Sequence, residues 1–446
     1  MRSWDAAHVA AAAGARLLDG ADAASGPSGF AIDSRAVSPG DLFIGLRGAQ
    51  TDGGRFAADA LAAGAWGVLA AGEHLEGLEG AVLLAAADPL LAMHSLARNW
   101  RRQLGARVVA ITGSSGKTST KDILAALLAR EQRTVASPLN HNTEIGLPLT
   151  ILDAPERSEV LVLELAMRGA GQIAQLTAIC EPDVAVIVNV GPAHLERLGS
   201  HEAIAAAKAE LIGGIRAGAS AVLPASEPLL DPFLRDDIEI LRFGPGGDVE
   251  LIGAGGEGVE VSLRGRRVTI EPGFRAAHLL IDLCAALAAA EALGVSVADG
   301  PLEVRFSGLR GELLKLPGDV LVINDCYNAN PMSMRAALEE LATTARGRRV
   351  AVLGDMLELG AADEERFHRE LGEQASAAGV EVLVTVGPLS AWTGESFGGS
   401  GHRHAESAEA AGALLRELLE PGDTVLIKGS RGVALERVAI ELGAAA

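Results

Sequence analysis

Aromatic residues are scarce in this chain: 4 Trp, 1 Tyr and 9 Phe among 446 residues, against 54 Gly. The core must therefore be built mostly from Ala, Val and Leu. Positive charge is also short, with 38 Lys and Arg against 58 Asp and Glu and a net charge of −20. That balance argues against nucleic acid as a main partner, because a nucleic-acid surface needs a basic face. Any anionic ligand must instead meet a few local basic groups. Cysteine is limited to Cys180, Cys284 and Cys326, an odd and scattered set that reads as reduced and buried, in keeping with a reducing compartment. No uninterrupted apolar run reaches the roughly 18 residues a membrane span needs, and no basic segment precedes the first apolar residues. These absences point to a soluble cytoplasmic protein with no membrane insertion.

What is present is concentrated in Val108-Val-Ala-Ile-Thr-Gly-Ser-Ser-Gly-Lys-Thr-Ser-Thr120. Val108 to Ile111 read as a buried strand. Lys117 to Arg130 read as a helix with Ile123, Leu124, Leu127 and Leu128 on one face. Between them Thr112, Gly113, Ser114, Ser115, Gly116, Lys117, Thr118 and Ser119 form a Gly-rich turn opening into the helix. Strand, Gly-rich loop, Lys-Thr and helix together make a phosphate cradle. Backbone N–H groups turn toward phosphate oxygens, Lys117 adds a full charge, and the Thr118 hydroxyl reaches a magnesium ion. The loop is compressed: the usual pattern has four residues between its glycines, and its first position falls on Ile111.

The length suggests about three domains of ~150 residues each, and the pattern divides at Asp88-Pro89 and after Gly308. Residues 1–87 mix short strands and helices, with Gly29–Arg35 and Asp41–Leu46 as strands around a Pro39-Gly40 turn. Residues 88–309 alternate apolar strands and helices, which predicts a mainly parallel sheet; 238–272 change to Gly-punctuated alternation and suggest antiparallel hairpins. Residues 310–446 restart the alternation and read as a doubly wound, Rossmann-like domain. The fold class is α/β throughout.

Ligands of open parallel sheets bind beyond the carboxyl ends of the strands. Glu164 ends the run Val160–Leu163, and His194 follows Val186–Val190 by a Gly191-Pro192 turn. Asn140 and Asn142 precede Glu144-Ile-Gly-Leu-Pro148. A carboxylate and an imidazole beside a triphosphate suit magnesium, although oxygen is its more usual ligand. Asp33, Ser34 and Arg35 fit either a substrate anion or a solvated turn. Lys208, taken alone, is a helix-surface lysine.

These residues carry a resemblance over nearly the whole chain to the bacterial Mur ligase family. Thr112–Ser119 resembles its phosphate loop. Ala193-His-Leu-Glu196, Gly199-Ser200 and Ala207-Lys-Ala-Glu210 resemble its central signature. Ile323-Asn-Asp-Cys-Tyr-Asn-Ala-Asn-Pro331, Leu353-Gly-Asp-Met-Leu-Glu-Leu-Gly360 and Lys428-Gly-Ser-Arg431 resemble its third domain. Asp33-Ser-Arg35, Pro39-Gly-Asp-Leu-Phe43 and Asp52-Gly53 resemble the part that holds a UDP-sugar. The third-domain strings single out the member that joins D-alanyl-D-alanine to UDP-N-acetylmuramoyl-tripeptide.

The resemblance implies an ATP-dependent amide ligase with an acyl-phosphate intermediate, and the chain is expected to act as a monomer. Lys117 and its loop would hold ATP, Thr118 and Glu164 one Mg2+, and His194 with a carbamylated Lys208 a second. Arg310, Asn328 and Asp282 would lie near the nucleotide. Asn142, Thr143, Asn330, Lys428 and Arg431 would face substrate, as would Asp33, Ser34 and Arg35 in the first domain. The chain departs from the family pattern at Gly54, where a His is common, at Thr143, where Asn is frequent, and in an adenine-side string His278-Leu-Leu-Ile-Asp282 that keeps its histidine and loses both amides. An ionised Asp282 would still accept from the adenine amine; alternatively it faces solvent. The rivals are another Mur ligase, a folylpolyglutamate-type ligase, a P-loop NTPase acting as a conformational switch, and a nucleotide-binding regulator without catalysis.

Overall fold

A computed structural model describes residues 1, 3–256 and 258–443. Among them the chain forms three sheets, five-, ten- and six-stranded, in three α/β domains. The first sheet runs, edge to edge, Arg16–Asp19, Val82–Ala85, Gly67–Ala70, Asp41–Ile44 and Gly29–Ala31, with only the first strand antiparallel to its neighbour. The two strands around Pro39-Gly40 are thus parallel neighbours. The first stops early because the Asp33 carboxylate accepts from the Arg35 N–H and starts a tight turn.

The junction to the central domain is a helix, Pro89–Leu104. Asp88 caps it by accepting from the Leu90 and Leu91 N–H groups, Pro89 opens the first turn, and Gly105 ends it with φ +64°. Its buried face joins two domains. Trp100 meets Trp4 edge-on at 5.4 Å, and one apolar cluster runs from the helix Ala6–Ala13 into the central sheet.

In the central sheet Val184–Ile187, Arg107–Thr112, Val160–Glu164 and Thr134–Ala136 lie side by side and parallel. All five residues of Val160–Glu164 are buried, as a parallel strand covered on both faces requires. The register pairs Ile111 with Glu164 and Thr112 with Ile187, which brings Glu164 and the segment after Ile187 beside the phosphate loop. The expectation of antiparallel hairpins over 238–272 needs one correction. Glu239–Phe243 extends the parallel sheet against Ser220–Pro224, and only Val249–Glu271 forms an antiparallel meander. The Gly-rich turn at 244–247, with Gly244 and Gly246 at positive φ, carries the chain to the next strand position where Val249 pairs parallel with Phe243.

The third sheet has Glu312–Leu316 antiparallel at one edge of five parallel strands, ordered Val320–Asn324, Thr424–Lys428, Arg349–Gly354, Val382–Val386 and His402–Ala405. No helix among the described residues is long and apolar enough to cross a membrane.

Candidate active site

The carboxyl ends of the central strands and the facing edge of the third domain enclose one cavity of about 890 Å³. Its floor is the loop between Thr112 and the helix Lys117–Leu128. Gly116 sits at φ +74°, and a Cβ there would fall 2.4 Å from Asp282 Oδ1, so only glycine fits. The loop is held from below by a residue the sequence reading missed. Asn189 Oδ1 accepts from the Ser114 and Ser115 N–H groups, both at 3.0 Å, and its Nδ2 donates to the Ser115 carbonyl. Its signal was its position just after the buried strand Val184–Ile187, the same logic that picked out Glu164. Ser114 also exchanges hydrogen bonds with Gly191. Ser119 lines the cavity, whereas Thr112 is buried at the end of its strand.

Lys117 folds back on its own loop and donates to the Gly113 carbonyl at 2.8 Å. Burial lowers its ammonium below the usual lysine value; Glu164 opposes that and Arg310 adds to it. Glu164, 1% exposed, accepts from Thr118 Oγ1 at 2.7 Å and from Asn142 Nδ2 at 2.8 Å. Thr118, Glu164 and Asn142 therefore form one connected oxygen-bearing cluster, and Thr143 lies alongside in the cavity wall. Among the described residues no three His, Cys, Asp or Glu groups converge as a metal-ligand cluster. This donor set suits a cation that keeps most of its ligands as water and phosphate oxygens, the habit of Mg2+, and would not suit zinc.

His194 stands at φ +60° on the cavity wall and its Nδ1 lies 2.5 Å from Glu358 Oε2 of the third domain. Burial lowers its pKa, Glu358 opposes that, and Lys117 and Lys208 lower it further. Lys208 is not the helix-surface lysine that its position alone suggests. It is 1% exposed, and among the described residues its Nζ has no hydrogen-bond or ion-pair partner. Burial, with Lys117 nearby, pushes its ammonium well below the usual lysine value. It is not among the residues that line the cavity.

The third domain supplies the roof. Asn330 caps the helix Pro331–Thr344 and also donates to the Ser114 carbonyl at 3.2 Å, tying the roof to the phosphate loop. Lys428 is held by Asp325 Oδ2 at 2.6 Å and by the Asn328 carbonyl at 3.0 Å. Arg310 lies 4.0 Å over the Tyr327 ring, and Arg431 pairs with Glu436 at the rim. Of the first-domain trio, Asp33 and Arg35 pair with each other in the open, and none of the three lines this cavity. The arginine holds the Asp33 carboxyl down at about 2. The missing side chain at Gly54 has a local explanation. The His74 ring occupies the space, 2.3 Å from where a Cβ on Gly54 would sit, and its Nε2 lies 3.1 Å from Asp52.

Asp282 requires a correction. It is 4% exposed, so it does not face solvent, and its Oδ2 has no hydrogen-bond partner. Burial pushes its carboxyl up to about 8, against the pull of the Ser119 and Thr120 hydroxyls. Near neutral pH it is therefore mainly the uncharged acid. That form can donate as well as accept, unlike the acceptor-only carboxylate inferred from sequence.

The chain is similar to known proteins over nearly its whole length. Three family models match: the Mur ligase middle domain over residues 111–290, the Mur ligase glutamate ligase domain over 309–431, and the Mur ligase family catalytic domain over 28–89. UDP-N-acetylmuramoyl-tripeptide--D-alanyl-D-alanine ligase of Bacillus subtilis is 35% identical, with 93% of each chain covered. The enzyme of that name from Escherichia coli is 34% identical over 91% of each. The crystal structure of MurF ligase from Thermotoga maritima in complex with ADP is 32% identical with a TM-score of 0.81, covering 93% of this chain and 96% of that one. A MurF structure from Acinetobacter baumannii reaches a TM-score of 0.86 at 27% identity, covering 98% of each chain. With three family models spread over its three domains and relatives about 35% identical over more than nine-tenths of its length, the chain belongs to the Mur ligase family.

Proposed function

We propose that this protein is an ATP-dependent ligase that joins D-alanyl-D-alanine to UDP-N-acetylmuramoyl-tripeptide in peptidoglycan precursor synthesis. The observation that carries the reading is the single cavity in which a phosphate loop and a carboxylate–hydroxyl pair face a roof bearing Asn330, Lys428 and Arg431. In this reading the donor and acceptor substrates would meet in that cavity on either side of ATP. The relatives that bear this activity match more than nine-tenths of the chain.

In this reading the terminal carboxylate of the tripeptide attacks the γ-phosphorus, the bond to ADP breaks, and an acyl phosphate forms. The dipeptide amine then attacks the acyl carbon, and inorganic phosphate leaves from the tetrahedral adduct. The protein's part is positioning and charge neutralisation. Lys117 and the loop N–H groups that Asn189 does not engage hold the transferring phosphoryl oxygens. Thr118 and Glu164 would hold one Mg2+, and His194 a second; the ions neutralise phosphate charge. Lys208 has the chemistry of a carbamate-forming lysine. Burial disfavours its ammonium form, and reaction of the free amine with CO2, with release of one proton, would put a carbamate anion near His194 and Lys117. Residues 1–87, with Asp33, Ser34 and Arg35, take the UDP-sugar end; 88–309 take ATP, with Asp282, Arg310 and Asn328 near the nucleoside; 310–446 take the amine. The protein works as a cytoplasmic monomer on these two small molecules. The charge of −20 supports the exclusion of nucleic acid.

The test is phosphate release with ATP, tripeptide substrate and dipeptide, each omitted in turn. Release that requires both acceptors supports the ligase. Release from ATP alone would instead identify a nucleotide-driven switch, and binding without release a regulator.

A further inference from the structure

His194 and Glu358 are two of the few non-glycine residues at positive φ, at +60° and +64°, and they face each other across the seam between the central and third domains. Such conformations cost about 1 kcal/mol each and persist where the surroundings impose them. Here each segment imposes the other's shape. The Glu358 carbonyl accepts from the Glu196 N–H at 3.3 Å. Gly360, at φ +84°, passes so close that a Cβ would lie 3.3 Å from the Glu196 Cα. Leu195 packs into the third-domain cluster that contains Met356 and Leu359. Residues 194–196 and 358–360 thus dock backbone to backbone, with a carboxylate at 2.5 Å from one ring nitrogen as the polar centre of the contact.

A carboxylate that close to Nδ1 keeps the ring proton there, since the acceptor-only carboxylate needs a donor. Nε2 is then the ring's lone-pair nitrogen. We propose that Glu358 is a positioning residue: from the third domain it fixes the Nδ1–H tautomer and the orientation of His194, so the ring offers Nε2 to the cation–phosphate site only when the two domains are docked. The inference rests on the reading of His194 as a cation-site residue. It ties closure over the acceptor to completion of that site, which would suppress phosphate transfer in the open form.

The experiment compares Glu358→Gln, whose amide oxygen still accepts from Nδ1–H, with Glu358→Leu, which cannot. Mn2+ binding is followed by electron paramagnetic resonance with ATP present and no acceptor substrate. The tautomer of His194 is read from 15N shifts of histidine-labelled protein, with His194→Gln for assignment. Glu358→Leu should weaken Mn2+ binding by ~10-fold and lose the Nδ1–H signature, while Glu358→Gln keeps the signature and stays within about threefold. Unchanged Mn2+ affinity and tautomer in Glu358→Leu would overturn the proposal and leave the contact a mere clasp. Equal losses in Gln and Leu would also overturn it, because Glu358 would then act as a ligand itself. Wild-type protein that binds no Mn2+ with ATP would remove the cation reading, and this inference with it.

Discussion

Two lysines of the central domain are equally buried and otherwise opposite. Lys121, 2% exposed, donates to the Ser137 carbonyl at 2.8 Å and pairs with Asp122 at 2.9 Å. Asp122 in turn accepts from the Ser307 N–H, so the network ties the phosphate-loop helix to the segment leading into the third domain. Lys208, 1% exposed, has no partner among the described residues. Burying a charge costs several kcal/mol unless it is paired and hydrogen-bonded. The first site meets that cost internally, as a structural ion pair does. The second leaves it unmet, which marks a group whose partner comes from outside the polypeptide or whose charge is altered by chemistry. Asp282 belongs with Lys208 in this contrast: it too is buried with an unpartnered polar atom beside the phosphate loop.

The largest effect tests the one lysine that belongs to both groups. Lys117 is held within its loop, yet it faces the cavity. Lys117→Ala should lower turnover by about 10³-fold or more through loss of charge neutralisation, with an unchanged circular dichroism spectrum. Near-normal phosphate release would remove Lys117 from the reaction.

Lys208→Ala should lower turnover by ~10²-fold or more and be partly restored by millimolar acetate or propionate, which replace the missing carboxylate. Wild-type protein given 13CO2 should show a carbamate carbon signal that is absent from the variant. Failure of both signal and rescue would return Lys208 to an unmodified amine. Stability should move the other way. Lys208→Met exchanges an unpartnered polar head for an apolar one and should leave the Tm unchanged or higher. Lys121→Met leaves Asp122 without its cation and should cost about 3 kcal/mol in denaturant unfolding, while sparing turnover in the folded fraction. If both variants lose the same stability, the contrast between satisfied and unsatisfied lysines is wrong.

How much of this was legible in the sequence follows from how local each feature is. The phosphate loop is continuous in the chain, and Glu164 ends an apolar strand, so both could be read directly. Adjacency in a parallel sheet then brings Glu164 against Thr118 across 46 positions. Asn189 was missed although it follows a strand end in the same way, because an asparagine there has no signature apart from its contacts. Glu358 was missed as a partner because its contact with His194 spans 164 positions and two domains. Short edge strands such as Thr134–Ala136 and His402–Ala405 have too few residues to show a period. The burial of Lys208 and Asp282 could not be read from their own positions, and only the family resemblance set Lys208 apart from a surface lysine, since burial without a partner is a property of packing in three dimensions.

Asp282 permits a pH test of the contrast. Its folded-state pKa is raised to about 8, above the ordinary carboxyl value of 3.8. The folded protein therefore holds a proton that the unfolded chain has lost. The stability contributed is fully present below the unfolded value and declines as pH rises toward 8. Asp282→Asn, which cannot ionise, should flatten this decline. Between pH 5 and 7 the wild type should lose roughly 1 kcal/mol per pH unit relative to the variant. Parallel stability curves would mean that Asp282 finds a partner in solution.

The smallest effect concerns the nucleotide base. His278, Leu279 and Asp282 all line the cavity on the helix Ala277–Ala292, which packs against the phosphate-loop helix. Leu279 can offer only apolar contact, so Asp282 is the polar group of this string nearest the loop, with its Oδ1 against Gly116. As the uncharged acid it can accept from the adenine N6 amine, and it can also donate to a ring nitrogen. Guanine presents an oxygen where adenine presents the amine. A neutral acid can donate to that oxygen, so the discrimination against GTP near pH 7 should be modest, and stronger once the acid ionises and can only accept. Asp282→Leu should narrow the ATP/GTP ratio of kcat/KM by ~10-fold above pH 8, where the ionised carboxylate favours adenine by one hydrogen bond of ~1.4 kcal/mol, and by less near pH 7. Asp282→Asn, which keeps a donor and an acceptor, should stay within about threefold of the wild type at pH 7, and its ratio should not change with pH as the wild-type ratio does. An unchanged ratio in Asp282→Leu would show that the base is read elsewhere in the cavity and that the unpartnered carboxyl serves the loop alone.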